Sequence, residues 1–172
     1  MRRDTLSSVL CLLPAAASLL GSAPATAAEP RPPGEAAAPP LLELPDPLSQ
    51  EMGQLLTEGV TAAKTGELRA AERAFRAGLE KATASDNPRW IGRFRARLGD
   101  IYDSLRRHEQ ALEQYRQALA IHGALGERHN IAIDLNNLGV VYARLGQFDQ
   151  ALEHLSCAFA LREALGSSGH PA

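Results

Sequence analysis

The sequence has few aromatic residues: phenylalanine, tyrosine and tryptophan together make up 5% of its 172 positions. Because β-strands favour aromatic and β-branched side chains, this scarcity argues against an extensive sheet. Alanine, a strong helix former, is abundant instead, and 45% of the residues are hydrophobic, which is enough to build a core. The composition therefore predicts an all-α protein of closely packed helices.

The chain also lacks an excess of positive charge. Its formal net charge is -2, whereas nucleic-acid-binding proteins concentrate positive charge to displace counterions. It contains no serine nucleophile elbow, no glycine loop for phosphate and no pair of closely spaced thiols. We therefore predict no nucleic-acid partner, no cofactor and no enzymatic activity.

Histidine offers no metal site in the sequence. A metal site needs ligands that converge, and none of the histidines is followed by another four residues later on the same predicted helix. We interpret all five as surface residues; they are His108, His122, His129, His154 and His170.

Residues 1–28 have the pattern of a secretory signal peptide. Arg2 and Arg3 precede an uncharged, leucine-rich stretch, and small residues then offer cleavage sites at Ala25-Thr26-Ala27 or Thr26-Ala27-Ala28. An uncleaved membrane anchor is the alternative that the length permits. We expect cleavage, export to the periplasm or the medium, and no membrane association afterwards.

Cysteine is scarce, with Cys11 in the predicted signal peptide and Cys157 near the other end. Cleavage would remove Cys11, so the mature chain would depend on packing rather than on an internal disulfide. Residues 29–48 follow as a proline- and alanine-rich linker, because closely spaced prolines deny a helix its amide donors and hold the backbone extended.

The rest of the chain repeats itself every 40 residues, at positions that decide how closely two helices approach. A long repeat of this kind is typical of solenoids, in which each unit buries its apolar face against the next. Function is then expected on a surface. The repeated columns are Gly59, Gly99 and Gly139; Ala71, Ala111 and Ala151; Phe75, Tyr115 and Leu155; Gly78, Ala118 and Ala158; and Leu79, Leu119 and Phe159.

Each unit has the apolar spacing of two helices joined by a tight turn. Within a domain of residues 49–172 we predict repeats at about 49–86, 87–127 and 128–166. The second begins at Asn87-Pro88, since asparagine caps free amides and proline suits the first helical position.

Two segments resemble the tetratricopeptide repeat. They are Leu98-Gly99-x-x-Tyr102 with Ala111, Tyr115 and Ala118, and Leu138-Gly139-x-x-Tyr142 with Gly146, Ala151, Leu155 and Ala158. The usual repeat is about 34 residues long, and the longer period resembles that of kinesin light chains and many bacterial multi-repeat proteins. The resemblance spans residues 49–166 and implies a right-handed α-solenoid of three hairpins that binds other proteins.

The resemblance also implies where a partner would bind. In this family the first helix of each hairpin lines a concave groove. Arg93 and Arg97 are one helical turn apart and can converge on a carboxylate or a carbonyl of an extended peptide, while the Asn137 amide can donate and accept at once. The alternative is an ordinary solvated face. The implied groove residues are Arg93, Ala96, Arg97, Asp100, Asn136, Asn137, Val140 and Arg144.

The last hairpin is expected to leave an apolar face uncovered, because the chain ends where a fourth unit would begin. Leu155, Cys157 and Phe159 are candidates for a homodimer contact there. We predict an exported interaction module that captures a peptide or helix of a partner. The alternatives are a self-associating structural component and an accessory subunit of an envelope enzyme complex.

Overall fold

A computed structural model describes residues 47–167, which form six helices and no strand. The predicted all-α fold is confirmed for this part of the chain. The predicted signal peptide and most of the predicted linker lie outside it. The helices are α1 (Pro47–Lys64), α2 (Leu68–Ala84), α3 (Pro88–Ser104), α4 (His108–Ala124), α5 (Arg128–Arg144) and α6 (Phe148–Ser167).

The helices pair as three hairpins that stack in chain order, each helix packing mainly against its neighbours in sequence. The linker prediction extended to residue 48, but Pro47 and Leu48 already belong to α1. Proline suits this position, since the first amide of a helix has no partner within the helix. The same argument applies to α3, where Pro88 follows Asn87 and the Asn87 side chain accepts a hydrogen bond from the Trp90 amide at 3.3 Å.

Tight turns of one type separate the helices. Each contains one residue with positive φ, which is glycine at Gly66, Gly126 and Gly146 but Asp86 and Arg106 at the two remaining turns. The next amide then donates back to a carbonyl five residues earlier, as from Arg107 to Tyr102 at 2.8 Å. Such closures end a helix cleanly, so the chain reverses within three residues.

The repeated glycines lie where the two helices of a hairpin cross. A methyl group on Gly99 would lie 2.6 Å from the Tyr115 ring, and one on Gly139 would lie 2.6 Å from Leu155. Gly59 and Phe75 make the equivalent contact in the first hairpin. The recurrence of these residues therefore follows from geometry: each unit needs a missing side chain on one helix and a large one opposite it.

The core runs along the stack rather than around one centre. Its largest fully buried apolar side chains include Phe75, Phe94 and Leu138, which come from three different helices. None of the helices within residues 47–167 combines the length and the apolar character that a membrane span needs.

Helix α6 keeps a large apolar surface in contact with solvent. Phe148 and Leu152 are each 70% exposed, and Phe159 is 63% exposed. In α4 the residue equivalent to Leu152 is Leu112, which is only 6% exposed because the third hairpin packs against that helix. Phe159 therefore lies on an uncovered apolar face of α6, as predicted. The prediction was wrong for Leu155, which is half-buried and packs against Gly139 inside the third hairpin.

Candidate functional site: a cavity on the first helices of the hairpins

A cavity of about 500 Å³ lies on the side of the stack formed by the first helices of the hairpins. Its walls come mainly from α3 and α5, with Leu56 reaching it from α1. Five of the eight predicted groove residues line it. The complete lining is Leu56, Arg93, Ala96, Arg97, Asp100, His122, Asn130, Ile133, Asp134 and Asn137.

Arg93 and Arg97 stand on α3 one helical turn apart, and each is steadied by a neighbour. The Arg93 guanidinium lies over the Trp90 ring, 5.1 Å from its centre, and Trp90 in turn stacks on Phe94. Arg97 donates to the Asp100 carboxylate at 3.1 Å. Both guanidinium groups remain largely exposed, so each keeps donors for a ligand.

Asp100 connects the two sides of the cavity. Its Oδ1 accepts from the Tyr115 hydroxyl at 2.8 Å and from the Asn137 amide at 3.5 Å, while Oδ2 accepts from Arg97. Burial raises the pKa of Asp100, and the bond from Tyr115 and the charge of Arg97 oppose this rise. Burial and the nearby Asp100 charge raise the pKa of Tyr115, which therefore stays a hydrogen-bond donor at any ordinary pH.

A second polar group borders the cavity at the start of α5. Glu127 accepts hydrogen bonds from Asn130 at 2.6 Å and from Arg89 at 2.9 Å, so it ties α3 to the turn before α5. Burial alone would raise the pKa of Glu127, but these two hydrogen bonds and the neighbouring His122 hold it below its ordinary value.

His122 and Asp134 form a buried pair at the base of the cavity. The His122 Nδ1 atom lies 2.6 Å from Asp134 Oδ2, and the two residues are 2% and 1% exposed. The interpretation of His122 as a surface residue is therefore wrong. Burial raises the pKa of Asp134, and the hydrogen bond from His122 opposes that rise.

The other histidines differ among themselves. His129 is exposed, as predicted, whereas His108 and His154 are half-buried. His108 contacts Asp103 at 3.2 Å, and His154 stacks against Tyr142, with burial lowering its pKa. His170 lies outside the described residues.

The buried pair is not predicted from the spacing of histidines alone, because His122 and Asp134 lie on different helices. The 40-residue spacing places His122 at the position of Ala82 and Asp134 at the position of Phe94. Ala82 and Phe94 lie at the junction between the first and second hairpins, called here the first junction, and both are buried. A polar residue in a column that is buried one repeat earlier is the signal that would have identified the pair.

Three predicted groove residues do not line the cavity: Asn136, Val140 and Arg144. Arg144 instead contacts the Asp103 carboxylate, which joins the end of α5 to the end of α3. Asn136 and Val140 are half-buried on α5. On α5 the cavity therefore lies nearer the amino-terminal half of the helix than the predicted groove residues do.

A wider depression of about 940 Å³ lies on α1 and α2. Its lining contains no arginine or lysine, and the hydroxyls of Thr57 and Thr61 donate to carbonyls of their own helix. The cavity between α3 and α5 therefore offers the richer set of groups for binding a ligand.

Known proteins support the fold. Residues 96–164 match the family model of the tetratricopeptide repeat, so the predicted resemblance is confirmed. None of the curated proteins matches the sequence. Among solved structures, the tetratricopeptide repeat domain of FLU from Arabidopsis is 23% identical with a TM-score of 0.65, and the match covers 69% of this chain and 99% of that domain. BtubC (BKLC) from P. vanneervenii is 20% identical with a TM-score of 0.56, and the match covers 70% of this chain and 59% of that one.

Proposed function

We propose that this tetratricopeptide repeat protein is an interaction module that holds a peptide or helix of a partner protein in the cavity between α3 and α5. One observation carries the proposal: five residues chosen from the sequence for groove binding line a single cavity together. We assign it no catalytic role.

The lining suits a peptide because it offers both kinds of contact that an extended chain needs. Arg93 and Arg97 supply exposed donors for carboxylate or carbonyl oxygens, and Asn137 can both donate and accept. Ala96 and Ile133 supply apolar surface beside them, and Ile133 is 36% exposed. A few placed polar groups on an apolar floor are typical of binding sites in proteins.

Charge reversal tests the cavity. Arg93→Glu combined with Arg97→Glu removes both guanidinium groups and adds two carboxylates, so recovery of a cross-linked partner from the native envelope is expected to fall at least about tenfold. The matched control is Arg73→Glu combined with Arg128→Glu, because both arginines are exposed and neither lines the cavity. Circular dichroism verifies that both variants keep their helices.

Equal loss of partner in the two double variants would assign the effect to net charge rather than to the cavity. Unchanged recovery with Arg93→Glu and Arg97→Glu, in a protein that remains folded, would refute the binding site. Partners should first be collected by proximity labelling, since the identity of the neighbour decides which protein is followed.

Export belongs to the proposal as well. It is supported by the signal-like pattern of residues 1–28 and the small residues at Ala25-Thr26-Ala27. Amino-terminal sequencing of the protein recovered from the periplasm or the medium should begin at Ala28 or Glu29. A full-length chain that stays with the cytoplasm would contradict it.

Self-association is the second candidate, because Phe148, Leu152 and Phe159 present an apolar surface on α6. Monomeric proteins rarely expose large apolar patches without a partner. Sedimentation of the mature protein over a range of concentrations tests the idea, with Leu152→Glu as the disrupting variant. A mass that stays monomeric throughout would exclude it. An accessory role in an envelope enzyme complex stays a prediction.

A further inference from the structure

The exposed face of α6 corresponds to the surface on which, in the two earlier hairpins, the next hairpin packs. Its apolar residues are Phe148, Leu152 and Phe159, which are between 63% and 70% exposed. On α4 the equivalents of Leu152 and Phe159 are Leu112 and Leu119. At the second junction, between the second and third hairpins, these two leucines are buried and half-buried. The face of α6 is therefore a helix-packing surface that no other helix covers among the described residues.

Ser156, in the middle of this face, distinguishes α6 from the second helices of the other hairpins. The equivalent residues are Arg76 and Arg116, and each donates a hydrogen bond to a tyrosine of the following hairpin, at 2.9 and 2.6 Å. The Ser156 side chain is too short for such a bond, and its hydroxyl donates to the Glu153 carbonyl of its own helix at 2.9 Å. A further hairpin of the same type would lack this anchor on α6, whereas the small side chain lets another helix approach closely.

The opposite end of the stack disfavours head-to-tail stacking of two copies. On α3, the face that packs against the first hairpin is apolar and buried at Phe94, Leu98 and Ile101. On α1 the equivalent residues are polar and exposed, and they are Gln54, Glu58 and Thr61. Burial of these groups against α6 of another copy would remove their contacts with water, which is costly for polar groups. A contact between two α6 faces buries none of them.

A second copy of α6 fits the face in one arrangement. Within the stack, α3 packs on α2 and α5 packs on α4 as antiparallel neighbours, since short turns join them. Two α6 helices that cross antiparallel at Ser156 repeat this packing about a two-fold axis, and each presents the same patch to the other. Leu152 lies four residues before the crossing and Phe159 three residues after it. The contact therefore pairs Leu152 of each copy with Phe159 of the other.

We infer that this protein forms an antiparallel two-fold dimer in which the α6 helices of two copies cover each other's exposed apolar faces. The inference rests on the self-association proposed above as the second candidate and adds the surface, the partner and the arrangement. It does not depend on the cavity between α3 and α5.

The area of the contact sets the expected strength. Phenylalanine side chains bury about 200 Å² each, so Phe148 and Phe159 together leave about 270 Å² in contact with solvent on each copy. Both copies therefore contribute more than about 540 Å² of apolar surface once Leu152 is included. Stable interfaces bury about 1,200–2,000 Å² in total, so this one is small. A dissociation constant in the micromolar range is expected.

Sedimentation of the full mature protein from about 1 μM to about 1 mM measures the association. Ser156→Arg introduces the residue that α2 and α4 have at this position, so the helix tolerates it while the crossing is blocked. The matched control is Gln150→Arg, which adds the same charge at an exposed position on a different side of α6. Circular dichroism verifies that the variants keep their helices.

A charge exchange tests the antiparallel register. Leu152→Glu and Phe159→Lys each place an unpaired charge in the contact, so each should raise the dissociation constant at least about tenfold. Combined in one chain, they meet across the axis as two pairs of opposite charge, and the double variant should associate at least about tenfold more tightly than either single one. In a parallel dimer like charges would meet instead. Because Leu152 is exposed in the single chain, Leu152→Glu also covers the case in which Ser156→Arg does not fold.

We expect wild type and Gln150→Arg to form dimers with equal dissociation constants, and Ser156→Arg to stay monomeric. A wild type that is monomeric at every concentration overturns the inference together with the proposed self-association, and the cavity keeps its own test. If Ser156→Arg forms dimers as tight as those of wild type, or if the double variant is no tighter than the single ones, the arrangement is wrong while self-association stands. Masses that grow beyond a dimer indicate head-to-tail stacking and also contradict the inference.

Discussion

Replacement of Gly99 by alanine tests whether the glycines at the helix crossings define the fold. In an exposed helix, glycine to alanine stabilises by about 0.5–1 kcal/mol, because alanine loses less backbone entropy on folding. At Gly99 the new methyl carbon would lie 2.6, 2.7 and 2.8 Å from three atoms of the Tyr115 ring. Carbon atoms in contact prefer about 3.5–4.0 Å, so the ring would have to move by about 1 Å.

The ring is not able to move without cost. Tyr115 is 2% exposed, and its hydroxyl donates to Asp100 at the cavity. Overpacking of a filled core costs about 1–3 kcal/mol, which outweighs the gain in helix propensity. We therefore expect Gly99→Ala to lower the free energy of unfolding by up to about 2 kcal/mol.

Gly123→Ala is the matched control. Gly123 lies in the last turn of α4, and no side chain or other helix is within 4 Å of a methyl group placed there. It should stabilise the protein by about 0.5–1 kcal/mol, so the two alanine variants shift the melting temperature in opposite directions by a few degrees each. Urea and thermal unfolding followed by circular dichroism measure both. Equal shifts of the same sign would refute the idea that the crossing requires glycine.

Three further predictions follow from single contacts. Arg106 has a φ of 57° where the equivalent turns have Gly66 and Gly146, so Arg106→Gly should stabilise by about 0.5–1 kcal/mol in urea unfolding, and an unchanged midpoint would show that the turn is unstrained. Glu127 has a lowered pKa in the folded state, so its contribution to stability is present above its unfolded pKa and is lost as the pH falls through its folded pKa. Glu127→Gln should therefore destabilise the protein at pH 6 and match wild type near pH 3. A difference in stability that grows on acidification would contradict this. Tyr142→Phe removes the hydroxyl that accepts from Arg116 at 2.6 Å and should cost about 1 kcal/mol at neutral pH in the same assay, whereas no loss would show that the bond adds nothing to stability.

The fold could be predicted from the sequence because its determinants are local and repeated. Gly59, Gly99 and Gly139 mark the helix crossings, and the facing residues recur at the same spacing. The Asn87-Pro88 pair predicts the start of α3 to within one residue of where the structure has it. Helical periodicity then assigned the remaining helices, since an amphipathic helix has the same pattern wherever it packs.

The candidate site was predicted less completely, because its detailed contacts depend on two helices at once. Spacing on α3 predicts that Arg93, Arg97 and Asp100 share one face, and all three line the cavity. Helical spacing does not predict that Arg144 binds Asp103 of the preceding hairpin, since that contact joins residues 41 positions apart. The same limit hid His122 and Asp134, whose burial results from the packing of α4 against α5.

The two junctions between hairpins also predict how the buried pair can be replaced. His122→Ala alone would leave the Asp134 carboxylate buried without its partner, which typically costs about 3–5 kcal/mol. The first junction is packed by apolar side chains alone, and the side chains at its equivalent positions differ in volume from those at the second junction. It has Met52 where the second has Gly92, and Phe94 over Gly78 where the second has Asp134 and Ala118.

Transfer of all four residues of the first junction to the second should therefore restore the stability that His122→Ala alone removes. The exchange is Gly92→Met, Ala118→Gly, His122→Ala and Asp134→Phe, which reproduces the first junction at the second. Because buried ion pairs can often be replaced by well-packed apolar groups of similar volume without loss, we expect the fourfold variant to unfold in urea at a concentration near or above that of wild type. The single His122→Ala variant should unfold well below it. A fourfold variant as unstable as the single one would mean that the repeats differ in backbone geometry, and that the buried pair at the second junction is required for packing.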